Sequence, residues 1–229
     1  MLKDLFDCDF VQHYKITSPN VVAVEHCVRE SIFDLEDEEN TPIKGIGEGK
    51  VTIKNTEEGM EVLEYEHFIN QCQKPRSFAN GRKRCDFVLT SQIPVDFVCL
   101  VELSSAIGDS AKALFNLPIN HQQEDAISKA EKAERQLSCT LETMMDVPAI
   151  KENLEQRTKR VCLFAYRLYP RHSAEIIEAK ISDMHARYIR IEAMETKDDG
   201  AQLSSSNIEK YGFEYRRISH EFSFNYLAQ

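Results

Sequence analysis

The stretch "RKRCDFVLTSQIPVDFVCLVELSS", residues 82–105, decides the fold of this 229-residue chain. It contains two apolar runs rich in strand-forming residues, Arg84–Thr90 and Phe97–Leu103, and the segment between them carries a proline. Because proline cannot donate a hydrogen bond to a sheet, it suits a turn, and the pattern predicts two neighbouring strands. Each strand carries one acid, Asp86 or Glu102, where a purely structural sheet would hold another aliphatic residue.

These two acids can bind one divalent cation if their strands are adjacent. Mg²⁺ takes oxygen ligands, commonly carboxylates together with waters and a substrate phosphate, and such an ion orients a phosphodiester and lowers the pKa of a bound water. Strand alternation places Glu102 and Leu100 on one face of the sheet, and Val101 and Leu103 on the other. Since an unpaired buried carboxylate is unfavourable, we predict a Mg²⁺ or Mn²⁺ site at Asp86 and Glu102. The alternative is a structural acid at a strand end, paired with an arginine or facing solvent.

The rest of the chain predicts a mixed α/β fold, with a central β-sheet flanked by helices in one domain, residues 1–229. Apolar residues recur at helical spacing in three segments and at strand spacing in the others. The predicted elements are helices at 18–35, 122–145 and 173–194, a β-hairpin at 50–69, and strands at 160–168 and 211–224. Residues 36–49 are acidic and then glycine-rich, which predicts a solvated loop.

Composition indicates the class of protein and its compartment. Hydrophobic residues make up 42% of the chain and charged residues 29%, as in ordinary globular proteins, and no apolar run approaches the roughly 18 residues of a membrane span. The stretch "MLKDLFDCDF" has acids within its apolar run, unlike a secretory signal, so we expect a soluble cytoplasmic protein with no membrane partner. Seven cysteines without a C-x-x-C pair indicate reduced, buried thiols rather than a zinc site.

The charge distribution bears on nucleic-acid binding. A formal net charge of −10 opposes general binding to phosphate, so local basic clusters matter more than the sum. One cluster, "KPRSFANGRKR", contains no acid and leads directly into Asp86. Its basic residues are Lys74, Arg76, Arg82, Lys83 and Arg84. The segment is either a solvated loop or a surface that guides a phosphate backbone.

Four segments, "CDFVL", "FVCLVELSS", "KAERQL" and "RVCLFAY", together resemble the core of the PD-(D/E)XK nuclease superfamily, the restriction-endonuclease-like fold. In that family an Asp on one core strand and an acid on the next bind the metal, and a Gln on the following helix lies near the site. The resemblance implies a core at about residues 61–168, with an N-terminal helix and C-terminal helix and strand additions. It implies catalytic roles for Asp86, Glu102 and Gln136, and metal ligation at Asp86, Glu102 and Leu103.

The chain departs from the family pattern at Ser104. Members of the family carry a Lys two residues after the second acid, which positions or activates the attacking water; a serine hydroxyl supplies no positive charge. Lys129 lies two helical turns before Gln136 and projects from nearly the same direction, which makes Lys129 the candidate for a relocated catalytic lysine. Lys132 lies further toward solvent by the same count. The alternative for Lys129 is an ordinary exposed helix lysine.

The resemblance implies a metal-dependent nuclease-type domain that acts on DNA phosphodiesters in a defence or repair system. Mg²⁺ or Mn²⁺ is the expected cofactor, and the residues expected to guide DNA are Lys74, Arg76, Arg82 and Arg84. The alternative is a catalytically degenerate nuclease fold that serves as a nucleic-acid-binding or protein-assembly module. Ser104 and the acidic net charge favour this alternative. A protein partner or a homo-oligomer stays open.

Overall fold

The computed structural model describes residues 2–38, 40–54, 59–72, 84–91, 96–107, 129–169, 200–220 and 222–225. The helices are α1 (Leu2–Leu5), a π-helical turn (Phe6–Phe10), α2 (Val11–His13), α3 (Tyr65–Gln71), α4 (Lys129–Met145), α5 (Pro148–Glu155) and α6 (Ser206–Glu209). The strands are β1 (Glu25–Val28), β2 (Ile32–Leu35), β3 (Ile43–Lys44), β4 (Val51–Lys54), β5 (Met60–Glu64), β6 (Phe87–Ser91), β7 (Phe97–Ile107), β8 (Lys159–Tyr169), β9 (Ala201–Leu203), β10 (Glu214–Ser219) and β11 (Ser223–Asn225).

The strands form two sheets. The large sheet has seven strands in the order β1-β5-β6-β7-β8-β10-β9, and the small sheet has four in the order β11-β4-β2-β3. In the large sheet β8 pairs in parallel with both β7 and β10, and the other neighbours are antiparallel. The predicted mixed α/β architecture, a mixed sheet flanked by helices, is confirmed.

The two faces of the large sheet are covered differently. Leu100 of β7 belongs to one buried cluster with the N-terminal helices and with Leu137 of α4. Val101 and Leu103 belong to a second cluster with Phe33 of the small sheet. The alternation predicted for β7 is therefore confirmed, and it puts Glu102 on the helix side of the sheet.

The central elements agree with the sequence pattern. β6 and β7 form the predicted antiparallel pair, and β8 is the predicted buried strand. β10 lies within the segment predicted as strand at 211–224, and β11 overlaps its end. The helix predicted at 122–145 is confirmed for Lys129–Met145, where Leu137, Leu141 and Met144 are buried. The helix predicted at 173–194 lies outside the described residues.

The helix predicted at residues 18–35 is wrong. The segment contains β1 and β2 instead, and these strands belong to different sheets. Its valines fit helical spacing, but β-branched side chains lose rotamer freedom in a helix and pack well on a pleated sheet. Helical structure near the N-terminus lies earlier, in α1, the π-helical turn and α2, where Phe6 and Phe10 are fully buried.

The hairpin predicted at residues 50–69 is also wrong. β4 and β5 form where strands were predicted, but β4 pairs with β2 and β11, whereas β5 pairs with β1 and β6. Residues 65–69, predicted to extend the second strand, begin α3. The predicted loop at 36–49 contains the short strand β3.

Two further observations concern predictions made from the sequence: the state of the cysteines and the length of the apolar helices. All seven cysteines are free thiols; Cys72, Cys85, Cys99 and Cys162 are buried, whereas Cys8 and Cys27 are exposed. Among the described helices, none is long and apolar enough to cross a membrane.

Candidate metal centre

Asp86 immediately precedes β6 and lies beside the middle of β7. Phe87 pairs with Val101 in an antiparallel register. The adjacent positions, Asp86 and Glu102, therefore lie opposite each other. The Asp86 N–H donates to the Val101 carbonyl at 3.0 Å, and the Leu103 N–H donates to Asp86 Oδ2 at 2.6 Å. Leu103 thus orients the Asp86 carboxylate through its backbone; its predicted role as a metal ligand stays a prediction.

Both predicted metal-binding acids are buried, with 7% of Asp86 and 6% of Glu102 exposed. Burial is the main cause that raises the pKa of each carboxyl, and the charge of Asp86 raises the pKa of Glu102 further. Glu102 Oε2 has no hydrogen-bond partner in the described part of the chain. A buried acceptor of this kind is rare unless an ion or water satisfies it, so the two acids fit a cation.

Two acids that were not predicted from the sequence, Asp37 and Glu66, lie beside Asp86. Oxygens of Asp37, Glu66 and Asp86 all lie within 4.8 Å of one another, a spacing that one divalent ion with ligands at about 2.0–2.6 Å can bridge. Asp37 follows β2 of the small sheet, and Glu66 lies in the first turn of α3. The N–H groups of Tyr65 and Glu66 donate to the Asp86 carbonyl at 3.0 and 3.2 Å, which fixes the helix beside the acid.

These three acids line a cavity of about 240 Å³. The residues around it are Asp37, Glu38, Glu64, Glu66, His67, Asn70, Asp86 and Phe87. Five of the eight carry carboxylates, so the cavity attracts cations and repels free anions. Glu64 is held in place by His26 Nε2 at 2.6 Å and by the Asn40 N–H at 3.3 Å.

Lysine and arginine side chains pair with acids in or beside this cavity, and one of these pairs is Lys44 with Glu38. Lys50 Nζ lies 2.8 Å from Glu36 Oε1 and 3.9 Å from Asp37 Oδ2, and its charge opposes the rise in the Asp86 pKa. Arg84 Nε donates to Glu66 Oε1 at 3.1 Å, and the same guanidinium contacts Asn70. Lys50 thus lies on the side of Asp37, and Arg84 on the side of Glu66.

The structure brings some of the other predicted residues to this place. Gln136 Nε2 donates to the Arg84 carbonyl at 2.9 Å, and Gln136 Oε1 is buried without a described hydrogen-bond partner. Lys132 is exposed, as predicted, yet its charge lowers the pKa of Glu102. Ser104 pairs with Tyr166 of β8, two residues beyond Glu102.

Several predicted basic residues fall wholly or partly outside the described part of the chain. Lys74, Arg76 and Arg82 lie outside the described residues, and so does the side chain of Lys129. The role of the basic segment and the relocated lysine at 129 stay predictions.

The chain matches no family model, no curated protein and no solved structure. The resemblance to the PD-(D/E)XK superfamily and its restriction-endonuclease-like core therefore stays a prediction.

Proposed function

We propose that this protein is a metal-dependent nuclease-type domain that acts on DNA phosphodiesters, with Mg²⁺ or Mn²⁺ as cofactor, in a cytoplasmic defence or repair system. The observation that carries the proposal is the group of three acids within 4.8 Å beside the buried, unsatisfied Glu102. A divalent cation at such a site supplies a water of lowered pKa and neutralises charge on a phosphoryl group.

The protein residues have separate tasks in this proposal. Asp37, Glu66 and Asp86 bind the cation, and the Leu103 N–H keeps the Asp86 carboxylate in the binding orientation. Glu102 adds its unpartnered oxygen from the neighbouring strand. Because burial disfavours charge on both strand acids, a cation offsets an unfavourable interaction at this position.

Two side chains connect the acids to the DNA-binding segment. Gln136 fixes the backbone of Arg84 through its amide nitrogen and leaves Oε1 for a water or a phosphate-bound group. Arg84 is the last basic residue of the segment that begins at Lys74, and it pairs with Glu66. The proposal assigns DNA contacts to this segment because the rest of the chain is strongly acidic.

The test is cleavage of DNA by the purified chain with Mg²⁺ or Mn²⁺, compared with the Asp86→Ala variant. A matched control is Asp96→Ala, because Asp96 lies at the far end of the same hairpin, where it accepts a hydrogen bond from Ser91 Oγ at 3.0 Å. We expect cleavage by the wild type and by the control, and none by Asp86→Ala. Equal activity of wild type and Asp86→Ala would contradict the proposal.

A second candidate function is a binding or assembly module built on a nuclease-type fold that has lost catalysis. The presence of Ser104 in place of a lysine favours it. Calorimetry that detects no Mn²⁺ binding would support the module. If the metal binds but catalysis lacks a lysine, Ser104→Lys should create or increase cleavage. If Lys129 has taken over the role, Lys129→Ala should abolish cleavage and leave metal binding intact.

A further inference from the structure

Lys50 is placed beside the acids by a segment whose backbone is held from both sides. Asp34 Oδ2 accepts hydrogen bonds from the N–H groups of Gly47 and Gly49 at 2.7 and 3.0 Å. Arg167 of β8 donates to the carbonyls of Gly49 and Gly47 at 2.6 and 3.3 Å. This clamp fixes the chain immediately before Lys50.

Glycine is required at position 49. A Cβ there would lie 2.6 Å from the Leu35 carbonyl oxygen, well below the normal contact distance. The next N–H, that of Lys50, donates to the same oxygen at 2.8 Å. The close approach sets the direction from which Lys50 enters the site.

The surroundings of Lys50 differ from those of Lys132, a lysine whose charge lowers the pKa of Glu102. Only 15% of the Lys50 side chain is exposed, whereas Lys132 is an exposed residue on α4. The ammonium group lies 3.9 Å from Asp37 Oδ2, so an ion bound to that oxygen at about 2.1 Å would lie within about 6 Å of Lys50 Nζ. A phosphate group that binds the ion through one oxygen can accept a hydrogen bond from Lys50 through another.

We infer that Lys50 is the lysine that contacts the substrate phosphate beside the bound cation, in place of the lysine that is absent at Ser104. The inference rests on the proposed function, because it needs the cation at Asp37. Without the cation, the Lys50 ammonium pairs with Glu36 at 2.8 Å and lies 3.9 Å from Asp37. Because an ammonium group has three N–H donors, Lys50 can stay paired with Glu36 and still donate to an anionic ligand beside a cation held by Asp37.

This role predicts that Lys50→Gln has opposite effects on the affinity for Mn²⁺ and on the affinity for DNA. Removal of a unit charge about 6 Å from a divalent ion in a water-like dielectric should tighten Mn²⁺ binding by about tenfold. Binding of duplex DNA in Ca²⁺, which replaces Mg²⁺ to limit cleavage, should weaken, and its salt slope should fall by about 0.9 for the lost phosphate contact. If the role of Lys50 were purely structural, Lys50→Gln would instead weaken the binding of both Mn²⁺ and DNA.

The experiment compares Lys50→Gln with Lys50→Arg and with Lys151→Gln. Lys151 is an exposed residue of α5 near Glu155, so this control removes the same charge away from the site. Calorimetry with Mn²⁺ alone and fluorescence anisotropy with DNA in Ca²⁺ are the readouts, after thermal unfolding has shown that each variant is folded. Lys50→Arg keeps the charge and should preserve DNA binding if Lys50→Gln proves unstable.

The inference is overturned if Lys50→Gln weakens Mn²⁺ binding or leaves it unchanged, or if its DNA affinity and salt slope equal those of Lys151→Gln. If Lys50→Gln binds Mn²⁺ more tightly and DNA more weakly, but the wild type cleaves no DNA, the nuclease proposal is refuted. The contact between Lys50 and a phosphate beside the cation is then still supported. A wild type that binds no Mn²⁺ would overturn both.

Discussion

Replacement of Asp86 by Asn should change the pH dependence of stability in the absence of divalent cations. Asp86 is buried, and burial together with the charges of Asp37 and Glu66 raises its pKa against the opposing Leu103 N–H bond. An acid with a raised folded-state pKa keeps its proton in the folded state after the unfolded chain has lost its own. The wild type should therefore lose up to ~1.4 kcal/mol of stability per pH unit from this group, starting near the unfolded pKa of ~4 and continuing to the raised folded value.

Between pH 5 and pH 7 this slope amounts to up to ~2.7 kcal/mol, and the Asp86→Asn substitution removes it because an amide does not titrate. The free energy of unfolding should be measured by urea denaturation in EDTA at several pH values, for wild type, Asp86→Asn and the control Asp96→Asn. We expect the variant to lose less stability than the wild type as the pH rises, and the control to follow the wild type. Addition of Mn²⁺ at 100 times its Kd should then stabilise the wild type by ~2.7 kcal/mol and the variant much less. Parallel pH profiles of wild type and Asp86→Asn would refute the account of this carboxyl.

Three other substitutions test separate parts of the molecule. Leu137→Asp puts an unpaired charge into the buried face of α4 and should lower the free energy of unfolding by more than about 4 kcal/mol. The control Arg135→Asp, on the exposed face, should change the free energy of unfolding little. An unchanged melting temperature for Leu137→Asp would contradict the assigned face. Glu66→Gln should weaken Mn²⁺ binding by about tenfold or more in calorimetry, and an unaltered affinity would remove Glu66 from the site. Replacement of Arg76 and Arg82 by Gln should weaken DNA binding for all sequences alike, and the slope of log K against log salt concentration should fall by about one unit per lost contact. Identical binding isotherms would take the basic segment out of the interface.

The sequence predicted the centre of the fold because the relevant signals there are local. Apolar runs of strand-forming residues located β6 and β7, and the apolar stripe of α4 correctly placed Leu137 in the core. At residues 18–35 the same reasoning failed, since valines at helical spacing also suit two short strands in different sheets.

The missed acids have a different explanation. Asp37 lies in an acidic stretch that looks solvated, and only the packing of the small sheet brings its carboxylate to Asp86. Glu66 lies where the apolar period changes from two to about 3.6, at the junction of β5 and α3, and this change was the available signal. Contacts between residues this far apart in the chain depend on tertiary structure, which one sequence does not specify by periodicity.

The distribution of the three acids over the two sheets has a dynamic consequence. Asp37 follows a strand of the small sheet, whereas Glu66 and Asp86 adjoin strands of the large one, so one ion bound to all three would fasten the two layers to each other. Local opening that separates the layers would then require release of the ion, and binding energy would appear as protection of backbone amides. The small-sheet amides of β2 and β4 should exchange with deuterium more slowly in Mn²⁺ than in EDTA, even though no residue of those strands belongs to the triad.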